Sequence, residues 1–203
     1  NREADTKYSA RERVQMAQSL HHFFEPLPRH LDLVSGIFSM LRRGYASRNP
    51  SWGRSQNLNG TLESAALVGP SGAGKSKSIE QVLRLIPQVV HHSNYNGAVV
   101  DETQVTWLKV ECPATVTPRA LCEDILQKMD CVLGSRYEEL YGGTRSTTSN
   151  LIPGVRTLAE NHHLGLLVID EIQNLFKARS RSSEELENFI VRIINDFGVP
   201  VLM

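Results

Sequence analysis

Residues 67–76 read Leu67-Val68-Gly69-Pro70-Ser71-Gly72-Ala73-Gly74-Lys75-Ser76, a short apolar segment followed by a glycine-rich loop that ends in Lys-Ser. The loop fits the pattern G-x-x-x-x-G-K-[ST] at every fixed position. In that pattern consecutive backbone N–H groups surround phosphate oxygens, and side chains at the glycines would obstruct the phosphates or forbid the backbone angles. The stretch therefore predicts a phosphate-binding loop between a strand and a helix.

The expected roles within this loop follow from the residue types. Lys75 brings a mobile positive charge to the β- and γ-phosphates, which makes it a nucleotide-binding and a candidate catalytic residue. Ser76 places a hydroxyl where a magnesium ion would sit, at the positive end of a helix. The residues predicted to bind the nucleotide are Gly69, Pro70, Ser71, Gly72, Ala73, Gly74, Lys75, Ser76 and Ser78.

The flanks of the loop agree with this interpretation. Upstream, residues 65–68 read as a buried parallel strand. Downstream, apolar residues recur at helical spacing until Pro87 ends the helix; they are Ile79, Val82, Leu83 and Ile86. A glycine-rich turn that binds nothing is the plain alternative, and the order of strand, loop and helix disfavours it.

A second informative stretch is Leu164-Gly165-Leu166-Leu167-Val168-Ile169-Asp170-Glu171. It predicts a buried strand that delivers two carboxylates at its carboxyl end, the edge where open α/β sheets bind ligands. Asp170 would orient a magnesium ion, and Glu171 would polarise the attacking water as the catalytic base. A strand that ends in Asp-Glu is by itself a weak indication of a nucleotide site. Together with the phosphate-binding loop upstream, it becomes a strong indication.

Composition is that of an ordinary globular protein of 203 residues, with a formal net charge of zero. Overall charge therefore predicts no nucleic-acid or membrane partner. Residues 1–60 carry nine Lys/Arg against five Asp/Glu, a modest basic bias. The odd number of cysteines, 3, and the absence of C-x-x-C spacing indicate a reducing cytosolic compartment. No apolar run reaches membrane-spanning length, and the first residues do not resemble a signal peptide.

The remaining patterns predict a three-layer α/β core with a parallel sheet, preceded by a helical extension. We expect strands near residues 65–69, 105–111, 165–170 and 199–203, and loops over 91–101 and 135–149. Predicted helices include one capped by Ser9 and Glu12, and one capped by Ser182 and Glu185. A third has Thr117 as its cap, Pro118 at its first position and Gly134 at its end. The predicted domains are a helical extension and basic linker over residues 1–60 and a nucleotide-binding core over 61–203.

Two segments before the phosphate-binding loop have recognisable patterns. Leu31, Val34, Ile37, Phe38 and Leu41 form one stripe of a helix that Gly44 would stop. After it, arginines and aromatics alternate over residues 42–54, which suits phosphate contacts and stacking on bases. A solvated linker without a specific partner is the competing interpretation of that segment.

Together these residues resemble a known family, the AAA+ ATPases that regulate DNA transposition, the TnsC proteins and their TniB relatives. Beyond the two nucleotide motifs, known as Walker A and Walker B, three stretches carry the resemblance. They are Phe24-Glu25-Pro26-Leu27 with the segment from Arg43 to Pro50, Leu133-Gly134-Ser135-Arg136-Tyr137-Glu138 with Tyr141-Gly142, and His163-Leu164-Gly165 through Glu171-Ile172-Gln173.

The resemblance implies a function. TnsC-like proteins assemble with ATP and Mg²⁺ into rings or filaments around duplex DNA, and they connect a target-selector protein to the transposase. The chain would accordingly be an ATP-dependent regulator of DNA transposition in the bacterial cytosol, without a membrane partner. The segment from Tyr45 to Pro50 would lie near the nucleotide or a neighbouring subunit. The candidate DNA contacts are Arg42, Arg43, Arg48, Lys109, Arg119, Lys177 and Arg179.

The carboxyl end departs from the family pattern. An AAA+ module continues into a sensor residue, an arginine finger and a helical lid, so we expect this sequence to be a piece of a longer protein and its hydrolysis of ATP to be weak. Two other functions stay open. One is a related ATPase switch that acts on a protein partner in replication or signalling, and the other is a small-molecule kinase, which the pair Asp170 and Glu171 disfavours.

Overall fold

The computed structural model describes residues 9, 11–12, 25–51, 54–57, 62, 64–95, 97–143, 147–178 and 181–203. The helices in these ranges are α1 (Pro28–Ala46), α2 (Lys75–Leu83), α3 (Pro118–Leu133), α4 (Tyr137–Tyr141), α5 (Thr148–Asn161), α6 (Gln173–Ala178) and α7 (Arg181–Asn195). The strands are β1 (Arg48–Ser51), β2 (Arg54–Asn57), β3 (Val89–Tyr95), β4 (Ala98–Val105), β5 (Trp107–Glu111), β6 (Leu166–Asp170) and β7 (Val201–Leu202).

The chain divides into two compact units, residues 1–32 and 33–203. In the first unit Ser9 and Glu12 form the predicted capping box. The N–H of Ser9 donates to Glu12 Oε2 at 2.7 Å, and the N–H of Glu12 donates to Ser9 Oγ at 3.3 Å. The remainder of that predicted helix lies outside the described residues.

A parallel sheet organises the second unit. Strands β5, β6 and β7 are neighbours in that order, and the segment before the phosphate-binding loop continues the order beyond β7 through a single parallel bridge between Ala65 and Leu202. The side chains of β6 alternate between two apolar clusters. Leu167 and Ile169 join one cluster with α3, α5 and α7, whereas Leu166 and Val168 join the other with α1 and α2. The predicted three-layer α/β fold is therefore confirmed.

The strand predicted over residues 65–69 is shorter and less buried than expected. Its hydrogen bonds to β7 include the N–H of Ala65 to the carbonyl of Val201 at 3.0 Å. Only Leu67 packs against a core cluster, and Val68 is 89% exposed. Among the described residues, this segment adds no side chain to the cluster on the opposite face of the sheet, so it is covered on one face only.

The prediction of a loop over residues 91–101 is wrong, because this region forms an antiparallel hairpin of β3 and β4. Gly97 at its turn has a φ of +82°. This is a left-handed conformation that glycine adopts readily. The predicted strand over 105–111 is also divided at Thr106, whose N–H donates to the carbonyl of Gln88 at 2.8 Å. Its first residue thus belongs to the hairpin, and the sheet strand begins at Trp107.

The loop predicted over residues 135–149 contains the short helix α4. Asp130, near the end of α3, accepts hydrogen bonds from the first backbone N–H groups of α4. Its Oδ1 accepts from the N–H of Tyr137 at 2.6 Å, and its Oδ2 accepts from the N–H of Glu138 at 2.8 Å. Oδ1 also accepts from Ser135 Oγ at 2.6 Å. Burial favours the neutral acid, but these hydrogen bonds outweigh it and hold the pKa of Asp130 below its usual value.

The apolar stripe of α1 differs from the prediction. Ile37 and Leu41 are buried as expected, but Leu31 and Phe38 are exposed. Gly44 does not stop the helix, which continues to Ala46. A Cβ at Gly44 would lie 2.8 Å from Pro200 Cγ, so the glycine permits close contact between α1 and the residues before β7.

Both predicted ends of α3 are confirmed, whereas the start of α7 is shifted by one residue. Thr117 caps α3, as Thr-Pro predicts, and accepts from the N–H of Ala120 at 3.2 Å. Gly134 ends the helix in a left-handed conformation. Helix α7 begins at Arg181, one residue before its predicted cap Ser182. No helix in the described part of the chain is both long and apolar enough to cross a membrane.

The close contact at Gly165 yields a stability prediction. An added Cβ there would overlap the Tyr45 hydroxyl and the Thr106 carbonyl oxygen. We expect Gly165→Ala to lower the free energy of unfolding by about 1–3 kcal/mol, measured by urea denaturation. Gly36→Ala is the matched control, because its added Cβ on the exposed face of α1 meets nothing within 4 Å. That control is expected to raise stability by about 0.5–1 kcal/mol, and equal effects of the two substitutions would contradict the prediction.

Candidate phosphate and metal site

The glycine-rich loop joins the edge of the sheet to α2. Gly72 and Gly74 both have a φ of +78°. The predicted backbone requirement for glycine therefore holds at these two positions. Gly69 is different: an added Cβ would make ordinary contacts with Lys75 Cδ at 3.8 Å and Ala73 Cβ at 3.9 Å. In the folded chain, the backbone conformation therefore requires glycine at Gly72 and Gly74 but not at Gly69.

Lys75 turns back onto the loop that precedes it. Its Nζ donates to the carbonyl of Gly69 at 2.8 Å and to the carbonyl of Pro70 at 3.0 Å. The ammonium thus lies over the exposed loop whose backbone would surround phosphates. A bound phosphate would exchange these carbonyl contacts for charge-assisted hydrogen bonds, which are the stronger kind.

Ser76 and Asp170 meet across the carboxyl edge of the sheet although 94 residues separate them, with Ser76 Oγ donating to Asp170 Oδ1 at 3.0 Å. The first turn of α2 and the end of β6 thus present a hydroxyl and a carboxylate to the same space. Oxygen donors of this type suit Mg²⁺, which keeps several of its waters and takes one or two protein ligands. The donor set therefore fits the metal that the sequence predicts.

Lys109 completes the surroundings of Asp170. Its Nζ lies 3.1 Å from Asp170 Oδ2 and 2.9 Å from Glu80 Oε1. Burial raises the pKa of Asp170, but hydrogen bonds from Lys109, Ser76 and the N–H of Glu171 outweigh that effect and leave the pKa below its usual value. For Lys109 burial lowers the pKa, and the contacts with Glu80 and Asp170 more than reverse this.

The position of Lys109 corrects its interpretation as a DNA contact, because it pairs within the site. This role of Lys109 was not predicted from the sequence. The available signal was a single lysine in the otherwise apolar run Trp107-Leu108-Lys109-Val110, near the carboxyl end of a predicted strand.

Glu171 follows β6 in an unusual backbone conformation. Its φ of +56° is in the left-handed region. That region is costly for a residue other than glycine. Its N–H donates to Asp170 Oδ1 at 2.9 Å, and its exposed carboxylate accepts from the side-chain amide of Gln173. The structure thus places this candidate base beside Asp170, and Gln173 contacts it.

Ser78 lies apart from the phosphate side of the loop. Its side chain is buried, and its hydroxyl donates to the carbonyl of Gly74 at 2.8 Å within the first turn of α2. The predicted contact of Ser78 with the nucleotide therefore stays a prediction.

The family follows from a comparison with protein-family models. Residues 59–203, most of the chain, match the model described as an AAA domain. The chain belongs to the AAA domain family. Such domains are P-loop nucleotide-binding ATPases, and the loop and carboxylates described above lie within the matched range. A search of curated proteins finds no match.

Tyr45 and Arg48, in the segment from Tyr45 to Pro50, contact residues at the amino ends of the sheet strands, opposite the carboxyl ends where Asp170 lies. The Tyr45 hydroxyl donates to the carbonyl of His163 at 3.1 Å, and Arg48 donates through Nε to the carbonyl of Gly198 at 2.9 Å. Both acceptors precede a strand, whereas Asp170 ends one. At about 3.3 Å per residue, the length of β6 alone separates these edges by roughly 10 Å or more. Tyr45 and Arg48 are therefore separated from the metal-binding end of β6, and the expectation that their segment lies near the nucleotide or a neighbouring subunit stays a prediction.

Arg48 is also corrected as a candidate DNA contact. Only 6% of it is exposed, and burial lowers its pKa to about 10. Its guanidinium lies over the Tyr45 ring at 5.4 Å from the centroid. Arg119 pairs with Glu123 at 2.8 Å, and Arg179 lies outside the described residues. The exposed candidates that remain are Arg42, Arg43 and Lys177.

The backbone of Glu171 leads to a prediction about stability. Glu171→Gly should be more stable to urea than Glu171→Ala by about 1 kcal/mol, because both lose the carboxylate and only glycine relieves the left-handed strain. The comparison removes the side-chain contact with Gln173 from both variants. Equal unfolding free energies for the two variants would show that residue 171 carries no such strain.

Proposed function

We propose that this AAA domain binds ATP with Mg²⁺ at the loop from Gly69 to Ser76 and hydrolyses it. The observation that carries the proposal is the hydrogen bond of 3.0 Å between Ser76 Oγ and Asp170 Oδ1, since Ser76 directly follows the loop lysine Lys75. The loop backbone would hold the phosphates, Lys75 would leave its carbonyl contacts for the β- and γ-phosphates, and Ser76 and Asp170 would hold the metal. Mg²⁺, when bound, supplies charge neutralisation at the phosphates.

Glu171 is the proposed general base. It follows the metal-binding Asp170 directly, and its carboxylate is exposed rather than paired with a cation in the described residues. A carboxylate in that position would orient a water for in-line attack and accept its proton. Gln173 contacts Oε2 of the same carboxylate, and a carboxylate has further acceptor sites at which a water can bind.

The finer proposal is that the chain regulates DNA transposition. Its support is the likeness to TnsC proteins in stretches outside the nucleotide motifs, including the run from Leu133 to Glu138. In this proposal ATP favours assembly of a homo-oligomeric ring or filament on duplex DNA in the bacterial cytosol, and hydrolysis favours release. A target-selector protein and transposase subunits would bind the assembled form. Arg42, Arg43 and Lys177 are exposed cations suited to phosphate contacts.

DNA binding distinguishes the transposition proposal from a switch that acts on a protein. We expect labelled duplex DNA to bind tightly with a non-hydrolysable ATP analogue and weakly with ADP or without nucleotide. Affinity should fall steeply with salt, because neutralised phosphates release counterions. Measurement by fluorescence anisotropy across a salt series checks this. Equal or absent binding in all three states would remove the support for action on DNA and favour the protein-partner switch.

Hydrolysis tests the roles of the loop and the base. Glu171→Gln should retain ATP binding and reduce the hydrolysis rate by about 100-fold or more, since general-base catalysis contributes roughly 10²–10⁴-fold. That variant should also hold the assembled state. Lys75→Ala is the companion variant and should lose ATP binding itself. Hydrolysis by Glu171→Gln at the parent rate would show that another group activates the water.

A further inference from the structure

Lys109 closes a ring of polar contacts that includes the proposed metal ligands Ser76 and Asp170. Ser76 and Glu80 are four residues apart on α2, so they share one face of that helix. Ser76 contacts Asp170 at 3.0 Å, Asp170 contacts Lys109 at 3.1 Å, and Lys109 contacts Glu80 at 2.9 Å. The ring therefore connects α2 to β5 and β6 at the carboxyl edge of the sheet.

Both oxygens of Asp170 are engaged in this arrangement. Oδ1 accepts from Ser76 and from the N–H of Glu171, and Oδ2 contacts the Lys109 ammonium. A divalent cation near Ser76 and Asp170 would sit close to that ammonium, and like charges at such distances repel when partly shielded from water. The side chain of Lys109 is only 22% exposed, so solvent screens this repulsion incompletely.

Glu80 is the second partner of the Lys109 ammonium. Its side chain is 42% exposed and already accepts the Lys109 ammonium at 2.9 Å. A shift of Nζ toward Glu80 would free Asp170 Oδ2 without leaving the lysine unpaired. The ammonium thus bridges two carboxylates and can lose one of them while it keeps the other.

We propose that Lys109 is an internal counter-ion of the metal site, which neutralises Asp170 before nucleotide binds and keeps only its contact with Glu80 when Mg²⁺ enters. Lys109 acts on the metal through Asp170, so it is a positioning residue. The inference rests on the proposed binding of ATP and Mg²⁺, and it adds that the chain sets the Mg²⁺ concentration at which its nucleotide complex forms.

The test is the Mg²⁺ dependence of nucleotide binding by the full chain. A fluorescent, non-hydrolysable ATP analogue is titrated with MgCl₂ at constant ionic strength, and the Mg²⁺ concentration at half-maximal binding is measured. For Lys109→Met we expect that concentration to fall by about threefold or more, because a competing cation is removed. Lys109→Gln should show the same direction and provides a second neutral variant.

Two controls test whether a change in the Mg²⁺ midpoint comes from loss of the positive charge at residue 109 in particular. Lys109→Arg keeps the cation and should retain the parent Mg²⁺ midpoint. Lys128→Met removes an exposed lysine from α3 and should also leave the midpoint unchanged. A role limited to holding Asp170 in place predicts the opposite for Lys109→Met, which would then need more Mg²⁺.

The outcomes distinguish this inference from the proposed function. A parent chain that binds the analogue only with Mg²⁺, together with a lower midpoint for both neutral variants, supports the counter-ion role. A parent that binds normally while the neutral variants have an unchanged or higher midpoint overturns that role alone. A folded parent that does not bind the analogue overturns both proposals.

Discussion

Strand β6 is apolar on both faces, and the arrangement of the site depends on that property. Leu167 and Ile169 require helices on one side, whereas Leu166 and Val168 require helices on the other. The helix that follows the glycine-rich loop belongs to the second set, so its first turn is held over the end of β6. Burial of hydrocarbon thus brings Ser76 to Asp170. The polar contacts at the edge then fix the orientation of side chains that the core has already brought together.

Where a structural element depends on neighbouring residues alone, the sequence predicted it well. The loop from Gly69 to Ser76, the cap at Thr117 and the buried run before Asp170 each combine a local pattern with a local cause. The predicted layers followed from them, because strands buried on both faces need helices on both sides. The carboxylate pair at residues 170–171 was likewise predictable, since parallel strands present their carboxyl ends at one edge.

The errors occur where the cause is distant along the chain or lies in packing. Strand β3 of the hairpin is mostly exposed and lacks apolar alternation, and the sequence signal for the hairpin was the dipeptide Asn96-Gly97 before Ala98. Helix α4 depends on Asp130, which precedes it by several residues. Glycine is typical of helix ends, but Gly44 lies within α1 and permits close contact with Pro200. Lys109 could not be assigned from periodicity, since its partners lie on two other elements.

The contacts at the amino edge of the sheet have a consequence for sequence variation. Tyr45 and Arg48 both donate to main-chain carbonyls, those of His163 and Gly198. Every residue type carries such a carbonyl, so the acceptor itself places no demand on the side chain. The backbone does, because His163 has a φ of +47° and Gly198 a φ of +67°, and this left-handed region favours glycine and asparagine. Among related chains, both sides of each contact should therefore be restrained, the donors by their polar groups and the acceptors by their backbone conformation.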